Sequence, residues 1–318
     1  MTYKGTRIAI TGGTGFIGSN LVRHFASAGA HVYCLIKDEF LDSNLPKNIN
    51  KIYGDVSVKQ DVDYFIEKSK PDIFIHLAAQ TQAAYAIKYP YSTISTNING
   101  TLNVLESLRI YKDCESIIVA SSDKTYGELE SDEYTESHTL GGVYPYDASK
   151  SITDILCRSY KNTYGMQVVS IRHCNVYGKN DSNYKRIIPN IIKHFYENKV
   201  FEIRNGGTDI REYIHIDDVI SAYDHVINYI ERNKNIEESF NIGSGERLTS
   251  LEVVKIVSSC LPGSLDYTVS PEAGQELKKQ VMSYALLNDK TGWQPQKTMK
   301  KSMPKIIDSY LSFLGKVK

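Results

Sequence analysis

Along the first 172 residues, short β-branched runs alternate with longer stretches in which apolar positions recur every three or four residues. The runs are Arg7–Ile10, His31–Ile36, Lys51–Tyr53, Asp72–His76, Ser116–Ala120 and Gln167–Ile171. The helical stretches lie near Phe16–Ala28, Val58–Ser69, Tyr91–Tyr111 and Tyr146–Tyr164. Parallel strands need crossover connections, so this alternation predicts an α/β fold with a doubly wound parallel sheet. Beyond Arg172 the rhythm loosens into a helix near Arg186–Glu197, a strand at Tyr213–His215, a helix near Asp217–Glu231 and a helical unit from Leu251. The expected organisation is a larger unit over 1–172, with a return segment near 213–243, and a smaller C-terminal α/β unit over 173–318. A ligand is expected in the cleft between them.

Composition narrows the function classes. The 37 basic residues balance 37 acidic ones, so no global field favours nucleic acid or an anionic membrane, and any anionic ligand must be held locally. The five cysteines, Cys34, Cys114, Cys157, Cys174 and Cys260, are scattered without a CxxC pair, which fits buried thiols in a reducing compartment. No histidine pair has metal-ligand spacing, so no metal is expected. The N-terminus enters a strand without an apolar h-region, and no run is long and apolar enough to span a bilayer, so the cytoplasm is the expected location.

Three local patterns carry chemistry. In Gly12-Gly13-Thr14-Gly15-Phe16-Ile17-Gly18 the glycines lie between a strand and a helix, where they allow a tight turn and let pyrophosphate reach the helix amides. The end of the second strand then distinguishes dinucleotides. Counting from Gly29-Ala30, the position where NAD sites usually carry an acid falls on Ile36, followed by Lys37. A cation there suits a 2′-phosphate, which favours NADP, although Asp38 leaves NAD open. Finally, Tyr146 and Lys150 are four residues apart, on one helix face downstream of Ser122, so an ammonium can stabilise a phenolate that accepts a hydroxyl proton.

With these residues in place, the chain resembles the extended short-chain dehydrogenase/reductase superfamily. The match runs through Thr11–Gly18, Gly54-Asp55-Val56, His76-Leu77-Ala78-Ala79-Gln80, Asn97–Thr101, Tyr146/Lys150, Arg172 to Gly178, and Arg211-Glu212-Tyr213 ahead of Asp217-Asp218. The resemblance implies a Rossmann-type dinucleotide domain and a smaller nucleotide-sugar domain. It also implies cofactor contacts at Asp55, Val56, Leu77, Ala78, Ala79 and Asn97, and substrate contacts at Gln80, Asn175, Arg186 and Arg211. Helices near Tyr91–Tyr111 and Tyr146–Tyr164 resemble those that pair in homodimers of the superfamily.

Within the superfamily, Ser122-Asp123-Lys124 resembles the nucleotide-sugar 4,6-dehydratases, which place an acid and a base after the catalytic Ser or Thr. The Asp-Lys pair, Leu140-Gly141-Gly142 and Gln275-Glu276-Leu277-Lys278-Lys279-Gln280 are most similar to CDP-glucose 4,6-dehydratases, whereas Ile36-Lys37 is closer to GDP-mannose 4,6-dehydratases. The implied reaction oxidises sugar C4 through Tyr146, Lys150 and Ser122, eliminates water across C5 and C6, and returns hydride to C6 of the nucleotide sugar. Asp123 is the expected acid. Lys124 is either the C5 base or a cation that stabilises the enolate. A nucleotide-sugar 4-epimerase is the alternative, using the same Tyr146 without need of Asp123 and Lys124.

Overall fold

The β-branched runs fold into seven parallel strands in the order β10-β6-β5-β4-β1-β2-β3 in the computed structural model, which describes residues 2–38, 45–129, 131–233, 236, 239–271 and 278–316. Residues 275–277 of the family-like stretch lie outside this description. The strands are β1 Arg7–Thr11, β2 His31–Ile36, β3 Asn50–Tyr53, β4 Ile73–His76, β5 Ser116–Ser122, β6 Val168–His173 and, arriving last, β10 Phe240–Ile242. Central strands such as β4 are buried along their whole length, as two-sided cover by helices requires. On one face, α1 (Phe16–Ser27) packs beside α8 (Ile216–Arg232) over a core that includes Phe25, Ile75, Val226 and Phe240. On the other face, α2 (Lys59–Ser69) and α5 (Gly100–Tyr111) enclose Phe65, Phe74 and Leu105, with α6 (Pro145–Tyr164) alongside.

One expected helix is broken into parts. The stretch near Tyr91–Tyr111 divides into α4 (Pro90–Ile94), a π turn over Ser95–Asn99 and α5, and it is preceded by the short α3 (Ala83–Lys88). The π turn holds Asn97 inward, where it is 1% exposed.

After β6 the chain builds a second, smaller sheet. β7 (Asn175–Tyr177) and β13 (Lys279–Gln280) run parallel to β9 (Ile210–His215), and β11 (Arg247–Thr249) runs antiparallel to it. β8 (Phe201–Ile203) pairs with β12 (Tyr267–Val269). Around these strands, α7 (Ile187–Tyr196), α9 (Ser250–Ser258) and α11 (Met299–Lys316) share a separate core of Ile191, Val254, Met303 and Ile307. The short α10 (Ala285–Thr291) instead covers β10 and α8. α9 begins at a capping box in which Thr249 and Glu252 satisfy each other's backbone amides. Thus β9 belongs to the smaller sheet, and the return to the main sheet runs through α8 into β10.

Candidate active site

A cavity of about 1170 Å³ runs from the glycine turn, over the C-terminal ends of β1, β4, β5 and β6, to β8 and β9 of the smaller sheet. Its shape at the cofactor end follows from backbone contact. A Cβ at Gly12, whose φ is +71°, would stand 2.6 Å from the Ala78 amide nitrogen, and one at Gly18 would stand 2.1 Å from the Gly12 carbonyl oxygen. Neither position admits a side chain. Gly15 begins α1 without a side-chain cap, so the first amides of that helix face the cavity available to an anion. Thr11 Oγ1 lies 2.7 Å from His76 Nδ1 and accepts from the Ala78 amide at 3.3 Å, which ties β1 to the turn after β4. Burial holds His76 neutral, with its pKa lowered to about 3.

Gly12, Thr14, Gly15, Phe16, Ile17, Gly18, Lys37, Asp55, Val56, Leu77, Ala78 and Ala79 all line the cavity. The count that put the ribose-facing position on Ile36 needs correction. Ile36 is 1% exposed in the core beside Ile10 and Ile73, whereas Leu35 and Lys37 border the cavity. Strand alternation separates them. Nor is the NADP preference supported. Lys37 Nζ lies 2.7 Å from Asp55 Oδ2, and Asp55 is further held by the amide and hydroxyl of Ser57, each at 2.9 Å. Burial raises the Asp55 pKa, but these partners outweigh it and hold the carboxyl below its usual range. A 2′-phosphate would compete with that carboxylate for Lys37.

Asn97 and Gln80 do not line the cavity. Asn97 Oδ1 accepts from the Gln80 amide at 2.7 Å, and its Nδ2 donates to Ser149 Oγ at 2.8 Å. It is therefore a clamp joining the turn after β4 to α6, and Gln80 uses its own side chain on the Gln82 amide.

At the centre, Ser122, Asp123, Lys124, Tyr146 and Lys150 share one wall. β5 delivers Ser122, and a 3-10 turn over Asp123–Tyr126 swings the next two residues to the cavity. Ser122 Oγ donates to Asp123 Oδ1 at 2.8 Å and is hydrogen-bonded to the Tyr146 phenol. Burial pushes the phenol well above its ordinary range, Ser122 opposes that, and the carboxylates of Asp123 and Asp147 add to it. Lys150 donates to the Ala120 carbonyl at 2.8 Å, and burial lowers its pKa to about 8 against the pull of Asp154. Asp154 in turn pairs with Arg172 at 3.1 Å, and Arg172 donates to the Tyr126 hydroxyl at 2.6 Å. The buried ion pair thereby fixes α6 against the turn that carries Asp123 and Lys124.

Two neighbours of this wall have no role assigned to them by the sequence, although Gln280 ends the family-like stretch Gln275–Gln280. Asp147, 5% exposed, feels the charges of Lys124 and Asp123, and burial raises its pKa to about 6. An acid in the first turn of a helix reads as a dipole partner in sequence. Gln280 accepts a hydrogen bond from the Lys124 amine across 156 positions of chain, a contact without local pattern. At the far end Asn175, Arg186 and Arg211 line the cavity with Glu202, Arg204 and Asp209. Arg186 pairs with the buried Asp181 at 3.0 Å and lies over the Phe16 ring, while Arg211 donates to the Ile210 carbonyl.

A parallel sheet with a glycine-lined cleft and a Ser-Tyr-Lys set at the strand ends defines an extended short-chain dehydrogenase/reductase. More narrowly, the chain belongs to the NAD dependent epimerase/dehydratase family, whose profile matches residues 8–243. It is 27% identical to a dTDP-glucose 4,6-dehydratase of Xanthomonas campestris over 333 residues, covering 95% of this chain and 92% of that one. Among solved structures, a dTDP-glucose 4,6-dehydratase from Streptomyces venezuelae with NAD bound superposes with a TM-score of 0.87 at 24% identity, covering 98% of each chain. A UDP-glucose 4-epimerase from Thermus thermophilus in complex with NAD gives 0.87 at 25% identity, covering 96% of this chain and 99% of that one. Among the described residues, no cluster could hold a metal ion and no helix is long and apolar enough to cross a membrane.

Proposed function

We propose that the protein is a nucleoside-diphosphate-hexose 4,6-dehydratase, with NAD rather than NADP as its recycled cofactor. One observation carries the reading: an acid, Asp123, and an amine, Lys124, line the same cavity as Ser122, Tyr146 and Lys150. Epimerisation at C4 has no task for that pair. The glycine cradle and uncapped α1 amides suit a pyrophosphate, and Asp55, Val56 and Leu77 to Ala79 suit the rest of a dinucleotide. Arg211, Arg186 and Asn175 are assigned to the sugar diphosphate, Arg211 by the bidentate fit of guanidinium to phosphate. The larger unit holds the cofactor and the smaller one the nucleotide. A homodimer is proposed through α5 and α6.

A bound nicotinamide supplies a reversible hydride acceptor, so hydride can leave sugar C4 and come back at C6. Ser122 orients the 4-hydroxyl while Tyr146 takes its proton; burial by itself holds the phenol protonated, and the Lys150 ammonium together with the positive charge of a bound nicotinamide would offset that. The ketone formed at C4 acidifies the C5 hydrogen. Lys124, as the neutral amine, takes that proton, and the C–H electrons become the C5–C6 double bond as Asp123 protonates the departing 6-hydroxyl. Water leaves. Lys124 then gives its proton back to C5, and the proton on Tyr146 replaces, through water, the one Asp123 released.

Incubation with CDP-, GDP-, dTDP- and UDP-hexoses tests this directly. The expected product has lost one water by mass spectrometry and carries a 4-keto group that absorbs in alkali. Asp123→Asn should slow water loss about 100-fold while C4 oxidation persists as a reduced-nicotinamide absorbance. A C4 epimer that keeps its 6-hydroxyl would assign the protein to the epimerases instead.

A further inference from the structure

We infer that Gln280 is the positioning residue for Lys124 in the water-loss step, an inference that rests on the dehydratase reading above. Its carboxamide oxygen accepts a hydrogen bond from the Lys124 amine. Gln280 is 1% exposed and belongs to β13, a strand of only two residues. There it sits in register with Arg211 of β9, which lines the cavity. Its neighbour Lys279 points the other way, to Asp132 at 2.7 Å. Strand alternation and pairing with β9 therefore place this carboxamide at Lys124.

Gln280 Nε2 is buried and has no hydrogen-bond partner among the described residues. A buried donor left unmet is unfavourable, and folds rarely retain one. Here the orientation that leaves it unmet is the one that puts the carbonyl on Lys124. Turning the amide over would face NH2 against the amine. The carbonyl accepts one amine hydrogen and has no hydrogen to offer the nitrogen lone pair, so it fixes the flexible four-carbon stem and leaves the lone pair for the sugar.

A carboxylate in this place would be a poorer choice. Lys124 already has Asp123 on its own turn, and Asp147 from α6 is close enough to feel its charge. A carboxylate in place of this amide would favour the ammonium, which cannot act as a base. A neutral acceptor gives position without that bias.

The test is Gln280→Met, which keeps length and burial but removes the acceptor. C4 oxidation, followed by reduced-nicotinamide absorbance, should stay within about threefold of wild type, whereas deuterium uptake at C5 from D2O and water loss should each fall at least about tenfold. In a Lys124→Met background, adding Gln280→Met should change the residual C5 exchange no further, because the glutamine acts through the lysine. Undiminished water loss in Gln280→Met would overturn the inference. So would an equal fall in oxidation and elimination, or an added loss in the Lys124→Met background. Failure of the wild-type protein to dehydrate any nucleotide hexose would instead remove the dehydratase reading, and this inference with it.

Discussion

Asp147 lies directly after Tyr146, the proposed proton acceptor, and its burial carries a cost that unfolding can measure. The carboxyl titrates near 6 in place of 3.8, chiefly because burial disfavours the anion, with Lys124 partly offsetting this and Asp123 adding to it. A raised acid pKa means the folded chain holds a proton that the unfolded chain has released. That contribution to stability is complete below about pH 3.8 and is lost as pH rises through about 6. By pH 7 the loss is about 2–3 kcal/mol. Asp147→Asn should therefore raise stability by about that amount at pH 7 and by little at pH 4, measured by urea unfolding at both values. Equal effects at the two pH values would show that the carboxylate does not carry the cost. This residue also marks a limit of sequence reading. Ser122, Tyr146 and Lys150 announce themselves by spacing, and Gly12, Gly15 and Gly18 by position after a strand, whereas Asp147 matters because the fold buries it near the 3-10 turn that carries Asp123 and Lys124.

Elements with a strong period were legible, and those without one were not. β1, β2 and α6 match their apolar patterns to within a residue or two because each buries several positions, the strands on both faces and the helix on one. The strands β7, β8, β11, β12 and β13 hold only two or three residues, too few to show alternation. Apart from β9, half of which reads as the strand Tyr213–His215, the smaller sheet, and Gln280 with it, therefore had no periodic signature. The interruption before α5 was hidden for a different reason. Ser95–Asn99 contains neither Gly nor Pro, and its π turn is sustained by Asn97 bonding both Gln80 and Ser149. Such turns are set by tertiary partners and recur near functional sites. The glycine turn carries the element-scale prediction. A methyl at Gly18 would meet the Gly12 carbonyl at 2.1 Å, backbone against backbone, so the turn or the start of α1 must move. Gly18→Ala should weaken NAD binding at least about tenfold by calorimetry while far-ultraviolet circular dichroism stays close to wild type. Unaltered NAD affinity would separate this turn from the pyrophosphate.

On the scale of the whole molecule, the three cores leave apolar positions of α5 and α6 uncovered. α5 presents Leu102 and Ile110 to solvent, and α6 presents Ile152 and Ile155. The two helices are joined on this side by Tyr160, whose hydroxyl donates to Glu106 at 3.1 Å, and by Arg109 over the Tyr164 ring. Leu102 stands one turn before Glu106 on α5, and Ile152 and Ile155, three residues apart on α6, precede Tyr160, so both helices carry exposed apolar positions on the turns before that junction. Scattered exposed aliphatics are ordinary, but several on neighbouring turns of two packed helices form a patch of the kind that self-associating proteins bury. A two-fold dimer would set this face against its own copy, and α6 would then carry catalytic residues on its inner side and subunit contact on its outer side. Replacing both Leu102 and Ile155 with Glu would place like charges opposite each other across such an axis. Light scattering should then report half the mass of the wild-type particle, with Lys150 still buried against the Ala120 carbonyl. An unchanged mass in the double variant, or a monomeric wild type at micromolar concentration, would exclude this face as the dimer contact.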